Sequence, residues 1–466
     1  MPATNQPRIG GLHLAAALPG AQAVGSRQVR VTGCTCDPRK VRPGDAFIAI
    51  DGPQGDDCRG VQLAAKRGAA AVVAERLLPI GATPQFLVED ARHAFGALCH
   101  ALVGHPTASM PTIAVTGSLG KSAVAALASS IISHAGAQPS LSLGADTCLG
   151  SAAAAARWLA DTMVSGATHA VVEASGTQLA AGALLGASLD AVCVTNLKAD
   201  RGHGGQSPDA QRRQMLASLE LLAPEGIAVL NADDPDCVRA LAERDGPTVT
   251  FGVSPGADVS ATLVERNASE QVFILHSGAD SAAVRTEVIG DAHMQNCLAA
   301  AAIGLAYGAD LTSIAAGIEA VRKLPNTMRP IRSGQGFPVF LDGARSPAAL
   351  RGVLETAREV ASGRVLCVAS LNGETSLESS TVAAALSDQT YLIADNGPPR
   401  PGAPGRWFDD RFTALALALA VAEPGDCLVL AGHRADSRIE GLTEHEVVTT
   451  LLRQRGAQEL QAARAA

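Results

Sequence analysis

A lysine and a serine that close a glycine turn are the residues of this chain best placed for chemistry. They end the stretch Thr112-Ile-Ala-Val-Thr-Gly-Ser-Leu-Gly-Lys-Ser122. Its apolar run Ile113–Val115 fits a buried strand, and the alanine-rich Ser122–Ala135 fits a helix. Between a strand and a helix, a glycine turn aims backbone N–H groups and the helix N-terminus at a phosphate. Lys121 would then reach the outer phosphates of a nucleotide, and the Ser122 hydroxyl would ligate Mg2+. The spacing is Gly117-x-x-Gly120-Lys121-Ser122, and Val115 stands where the general phosphate-loop pattern has its first glycine.

Other polar residues leave strand ends, where open α/β sheets carry their ligand chemistry. Glu173 closes the apolar run His169–Glu173. It fits a second Mg2+ through oxygen ligands, or a surface or helix-capping carboxylate. Thr195-Asn-Leu-Lys-Ala-Asp200 follows a strand, and its loop carries His203. Asn231-Ala-Asp-Asp-Pro235 leaves another strand, and its Asp233 and Asp234 fit either ligand binding or capping of the next helix.

The elements that position these residues read as an α/β protein of three domains. Residues 1–108 alternate short apolar runs with turns, such as Ala46–Ile50 and a helical Val61–Arg67. Residues 109–325 hold the clearest β-α-β rhythm, with strands Ile113–Val115, His169–Glu173, Ala191–Thr195 and Ile227–Asn231. That alternation predicts a central P-loop-type, mostly parallel sheet with helices on both faces. Residues 326–466, with strands Val339–Leu341, Val365–Ala369, Thr390–Ala394 and Cys427–Ala431, read as a smaller doubly wound, Rossmann-like domain. The turn-rich segments 103–111 and 323–330 read as linkers.

Composition narrows the function. At 466 residues the chain exceeds one ordinary core. Its formal net charge of −8 and absence of a basic run argue against nucleic acid as a partner. An aromatic content of 3% supplies no stacking platform for single strands. No stretch reaches 18 uninterrupted apolar residues, and the N-terminus has no basic segment feeding an apolar one, so no membrane insertion and a cytoplasmic location are expected. The ten cysteines form no C-x-x-C pair and are expected to be reduced thiols rather than a zinc site.

The order of these motifs resembles the Mur ligases, the ATP-dependent ligases of peptidoglycan precursor synthesis, and most of all the branch that adds the third amino acid to a UDP-N-acetylmuramoyl-dipeptide. The resemblance runs along nearly the whole chain. Asp37–Gly52 with Gly68-Ala-Ala-Ala-Val-Val is similar to the uridine-nucleotide-binding domain of that branch. Thr116–Ser122, Glu173, Thr195–Asp200 and Asn231–Pro235 match its central motifs, Gly290–Asn296 its adenine-side helix start, and Asp342–Pro347 the opening of its third domain. The resemblance implies ATP and Mg2+ as cofactors, a nucleotide-linked acid and an amino acid as small-molecule partners, and a monomer. It implies ATP contacts from Gly117, Ser118, Gly120, Lys121, Ser122, Ala123, Asn296, Asp342 and Arg345. It implies Mg2+ ligation by Ser122 and Glu173, catalytic roles for Lys121, Glu173 and Arg213, and substrate contacts from Asp146, Thr147, Ser175, Asp395 and Asn396.

The chain also departs from the family pattern. Counted from His203, the lysine that these ligases carbamylate is Arg213, and a guanidinium stays protonated and forms no carbamate. The family's Asp-His reads Asp200-Arg201, its arginine before the third domain Thr327, and the histidine of Asp-Tyr-Ala-His Arg345. Its first-domain serine is Pro38, and Ser-Ser-His after the glutamate reads Ser175-Gly176-Thr177. Asp-Asn-Pro-Arg becomes Asp395-Asn396-Gly397-Pro398, and Gly-Lys-Gly-His-Glu becomes Gly432-His433-Arg434-Ala435-Asp436. The expected function is a carboxylate–amine ligase working through an acyl phosphate. Its alternatives are a nucleotide-binding paralogue without turnover, or a ligase for an acid outside muropeptide synthesis.

Overall fold

The computed structural model describes residues 11–50, 57–144, 149–197, 207–324, 327–395, 397–432, 438–439 and 441–465. The chain forms two compact units. One comprises 1–116, 138–192 and 213–228, the other 117–137, 193–212 and 229–466.

The first unit contains a five-stranded sheet in the order Gln22–Val24, Gln85–Leu87, Ala71–Ala74, Asp45–Ile48, Gly33–Thr35. Its pairings are parallel except that of Gln22–Val24. Successive side chains on a strand face opposite ways. Ala46, Ile48, Ala71, Val73 and Phe86 therefore build one core, and Phe47, Val72 and Ala74 another on the opposite face. Strands buried on both faces need continuous apolar runs, as these segments have. The same unit holds the neighbouring strands Thr112–Thr116, His169–Glu173 and Pro139–Ser142 of a nine-stranded sheet, all parallel. Their register sets Glu173 opposite Val115. The turn-rich segment 103–111 is packed: Pro106, Thr107 and Met110 are buried, and Thr107 Oγ1 accepts a hydrogen bond from Ser188 N.

The second unit holds the neighbouring strands Thr248–Phe251, Val259–Arg266, Gln271–Ser277 and Asp280–Thr286. The last three pair antiparallel, an extension that the β-α-β rhythm did not reveal. Thr262–Glu265 are all exposed, and Asp280–Thr286 buries only Val284 and Thr286, so these strands lack the solid apolar runs of the parallel strands. Helix Lys121–His134 packs against helices Asp291–Ala306 and Leu311–Ala320.

A six-stranded sheet follows in the order Arg329–Pro330, Val339–Leu341, Cys427–Ala431, Val365–Asn372, Gln389–Asp395, Arg406–Phe408. It is parallel except at Arg329–Pro330. Val339, Leu341, Leu366, Val368, Leu428 and Leu430 pack on one face with helices Arg411–Val421 and Glu444–Ala465. Phe340, Val365, Cys367, Cys427 and Val429 pack on the other with Pro347–Val360 and Ser376–Leu386. Helices thus cover both faces, as the doubly wound reading requires. Cys34, Cys36, Cys99, Cys193, Cys237, Cys297, Cys367 and Cys427 are free thiols. No helix among the described residues is long and apolar enough to cross a membrane.

Candidate nucleotide site

The glycine turn leaves strand Thr112–Thr116 and enters helix Lys121–His134 at Gly120. Gly117 has φ +131°, and a Cβ there would lie 2.2 Å from Thr195 Oγ1. Gly120 has φ +83°, and its Cβ would lie 2.2 Å from Asn296 Oδ1. Both positions demand glycine, for backbone conformation and for space. Gly120 is the N-cap and offers no side chain to cap the helix, and a helix start of this kind favours an anion. Lys121 Nζ donates to Gly117 O (2.9 Å) and Ser118 O (3.1 Å), which arches its ammonium over the turn. Ser122 occupies the second helical position, and Ala123 behind it is buried.

Sequence motifs that looked like ligands turn out to brace this turn. Ser118 N donates to Asn196 O (2.9 Å) and Leu119 N to Asn196 Oδ1 (3.2 Å). Asn196 Nδ2 (3.0 Å) and Thr195 Oγ1 (2.6 Å) both donate to Leu119 O. Asn231 Nδ2 in turn donates to Thr195 O (2.8 Å). The structure decides the two open aspartates. Asp234 caps helix Pro235–Ala242, accepting from Asp236 N and Cys237 N, and its other oxygen accepts from Leu197 N (2.8 Å). Asp233 accepts from Val253 N, Ser254 N and Gln295 Nε2. Both carboxylates are therefore engaged in holding loops. Gln295 lies in the Gly290–Asn296 motif, but nothing in its local pattern announces a partner 62 residues away.

In the first unit Glu173 is 6% exposed, and its Oε2 accepts from Gly144 N at 2.8 Å. A Cβ on Gly144 would lie 2.8 Å from Glu173 Oε1, so the glycine lets the chain close over the carboxylate. Glu173 is neither a surface residue nor a helix cap. Ser175 caps helix Gly176–Ala180 in a capping box with Gln178, which occupies its hydroxyl. Arg213 lies exposed on helix Pro208–Ala217, while its neighbour Arg212 pairs with Asp209 and Asp236.

The six-stranded sheet gathers a second set of predicted residues. Asp342 is buried, and its carboxylate accepts from Met328 N and Ala344 N, both at 2.7 Å. Arg345 pairs with Asp395 (3.2 Å) and donates to Gly432 O (2.7 Å). These two line a cavity of about 620 Å3 together with Phe412, Ile439 and the buried ion pair Arg411–Glu444. Asp146, Thr147 and Asn396 lie outside the described residues, as do Asp200, Arg201, His203 and 433–436. Among the described residues no group of three or more His, Cys, Asp or Glu could hold a metal. The Ser122 hydroxyl at the phosphate loop is of the kind that ligates Mg2+, an ion that retains waters and takes its other ligands from phosphates.

A strand, a braced glycine turn and a lysine at a helix start have the form of a phosphate loop on an α/β scaffold. Comparison with known proteins identifies its kind. Residues 115–304 match the family model described as the Mur ligase middle domain, and residues 328–434 the one described as Mur ligase, glutamate ligase domain. The UDP-N-acetylmuramoyl-L-alanyl-D-glutamate–2,6-diaminopimelate ligase of Listeria innocua is 28% identical over 454 residues, covering 89% of this chain and 92% of that one. The ligase of the same name from Geobacillus kaustophilus is 29% identical over 459 residues, covering 90% and 93%. A solved structure of a ligase with that name superposes with a TM-score of 0.71 at 22% identity, covering 96% and 99%. A MurF ligase from Thermotoga maritima in complex with ADP gives 0.62 at 19% identity, covering 91% and 98%. The chain belongs to the Mur ligase family.

Proposed function

We propose that this chain is an ATP-dependent acid–amino acid ligase that extends a UDP-N-acetylmuramoyl-peptide in peptidoglycan precursor synthesis. The observation that carries this reading is the phosphate loop, closed by two obligatory glycines and braced by Thr195 and Asn196. This bracing keeps the loop organised to receive a triphosphate.

In the proposed reaction a substrate carboxylate oxygen attacks the γ-phosphorus and ADP leaves, forming an acyl phosphate. The amine of the incoming amino acid then attacks the acyl carbon, phosphate leaves, and the amine gives up a proton. Protein groups contribute positioning and charge stabilisation. Lys121 swings from the loop carbonyls to the outer phosphates, and the first-turn N–H groups hold phosphate oxygens. Ser122 would hold Mg2+ at the nucleotide, and Glu173 would hold a second one; when bound, the ion neutralises phosphate charge. Asn296, Asp342 and Arg345 are assigned to the nucleotide side, and Ser175 and Asp395 to the substrates. Three domains, with boundaries at 108/109 and 325/326, remain our division of the chain.

The guanidinium of Arg213 supports a second reading, a paralogue that binds nucleotide without ligation. One experiment separates them: ADP release measured over a panel of muropeptide acids and amino acids, with Lys121→Ala as control. Acid- and amine-dependent release, lost in Lys121→Ala, supports the ligase. Nucleotide binding with no acceptor-dependent release supports the paralogue.

A further inference from the structure

Helix Asp291–Ala306 brings Asn296 against Gly120 and Gln295 onto Asp233, so the position of its first turns shapes the phosphate loop. What holds that helix start is unusual. Gly290 N donates to Gln271 Oε1 (2.9 Å), and Gln271 is fully buried. Arg266 Nε donates to the same Gln271 oxygen (2.9 Å). The Arg266 guanidinium is only 4% exposed and pairs with Asp291, the first residue of the helix, at 2.5 Å. Its remaining arm pairs with Glu359 on helix Pro347–Val360. Gly290, at φ +111°, also sits against that helix, where a Cβ would lie 2.8 Å from Thr356 Oγ1.

Arg266 and Asp291 fall in the segment matched to the middle domain, and Glu359 in the segment matched to the glutamate ligase domain. We propose that Arg266 is a positioning residue that couples the seating of helix Pro347–Val360 to the phosphate loop. Glu359 engages the guanidinium, Arg266 and Gln271 fix the Gly290–Asp291 turn, and that turn sets Asn296 over Gly120. Nucleotide is then held best when the two matched segments are docked. A buried cation with two exposed carboxylate partners suits this task, because losing one partner leaves it desolvated and free to shift toward the other. The idea rests on the nucleotide-site reading above.

The test uses the full-length protein, with MgADP as probe in calorimetry and thermal melting alongside. Glu359→Gln keeps shape and removes the charge from an exposed side chain on helix Pro347–Val360. It should weaken MgADP binding about three- to tenfold, a range typical of coupled sites, while thermal melting shows that the variant still folds. Glu359→Asp should restore much of the affinity. In an Arg266→Lys background, Glu359→Gln should have no further effect, the non-additivity expected of a shared network. Unchanged MgADP affinity in Glu359→Gln, or additive losses in the double variant, would overturn the coupling. Lys121→Ala measured in parallel separates the two levels of the argument. If it abolishes binding while Glu359→Gln does nothing, the nucleotide site stands and the coupling fails. If Lys121→Ala binds MgADP normally, both fail.

Discussion

Replacing Asn196 tests the bracing of the phosphate loop most directly. Its amide makes two hydrogen bonds to Leu119, accepting at 3.2 Å and donating at 3.0 Å, and Asn196→Ala removes both. At about 1 kcal/mol net for each, roughly 2 kcal/mol of loop organisation is lost. The bonds from Thr195 Oγ1 to Leu119 O and from Ser118 N to Asn196 O survive, so the loop is loosened rather than unfolded. If that energy only lowers the population of the binding-competent loop, apparent affinity falls in proportion, by up to about 30-fold. Asn196→Asp should do worse than alanine. It sets a second acceptor against Leu119 O and adds negative charge beside the triphosphate. Calorimetry with MgADP gives the affinity, and thermal melting confirms that both variants fold. Affinities within twofold of wild type for both variants would refute the assignment of Asn196 as a brace.

Three further outcomes follow from the same structure. Burial pushes His100 down to about 4 and His293 to about 3, so both stay neutral when folded while the unfolded chain protonates them near 6.5. Their stabilisation is present above pH 6.5 and is lost as pH falls toward 4 and 3, at up to about 1.4 kcal/mol per pH unit for each. Melting between pH 7.5 and 5 should therefore show a falling Tm, with a shallower slope in His100→Leu; identical slopes would count against it. Gly120→Ala forces an L-residue to φ +83° against Asn296 Oδ1, at about 1–2 kcal/mol for the backbone alone. It should weaken MgADP binding by tenfold or more, and wild-type affinity would show that the turn is not part of the site. Arg213 is exposed and cannot be carbamylated. Acceptor-dependent ADP release should not respond to bicarbonate, and Arg213→Lys should not raise it; a bicarbonate-dependent rise in that variant would mark the wild type as disabled.

Local pattern was enough to place the turn and its flanking elements. The strand at Thr112–Thr116 and the helix at Lys121–His134 matched their expected spans to within a residue at each end. Apolar runs such as Val339–Leu341 and Cys427–Ala431 name strands buried on both faces, because only such strands need every side chain apolar. The antiparallel strands at Val259–Thr286 escaped notice because their exposed faces dilute that signal.

By itself the sequence determined the main parallel strands, the family and the glycine-Lys121-Ser122 turn, since these rest on neighbouring residues or on motifs in series. Tertiary structure decided what the polar residues at the strand ends do. Asp233 and Asp234 could equally have met a ligand or a backbone, and only folding brings Ser254 N and Leu197 N to them. Asn196 and Arg266 draw their roles from partners 77 and 93 residues away, Leu119 and Glu359. A hydrogen bond is short and directional, so its partner is set by which strands lie side by side, and that adjacency is written in no single stretch of the chain.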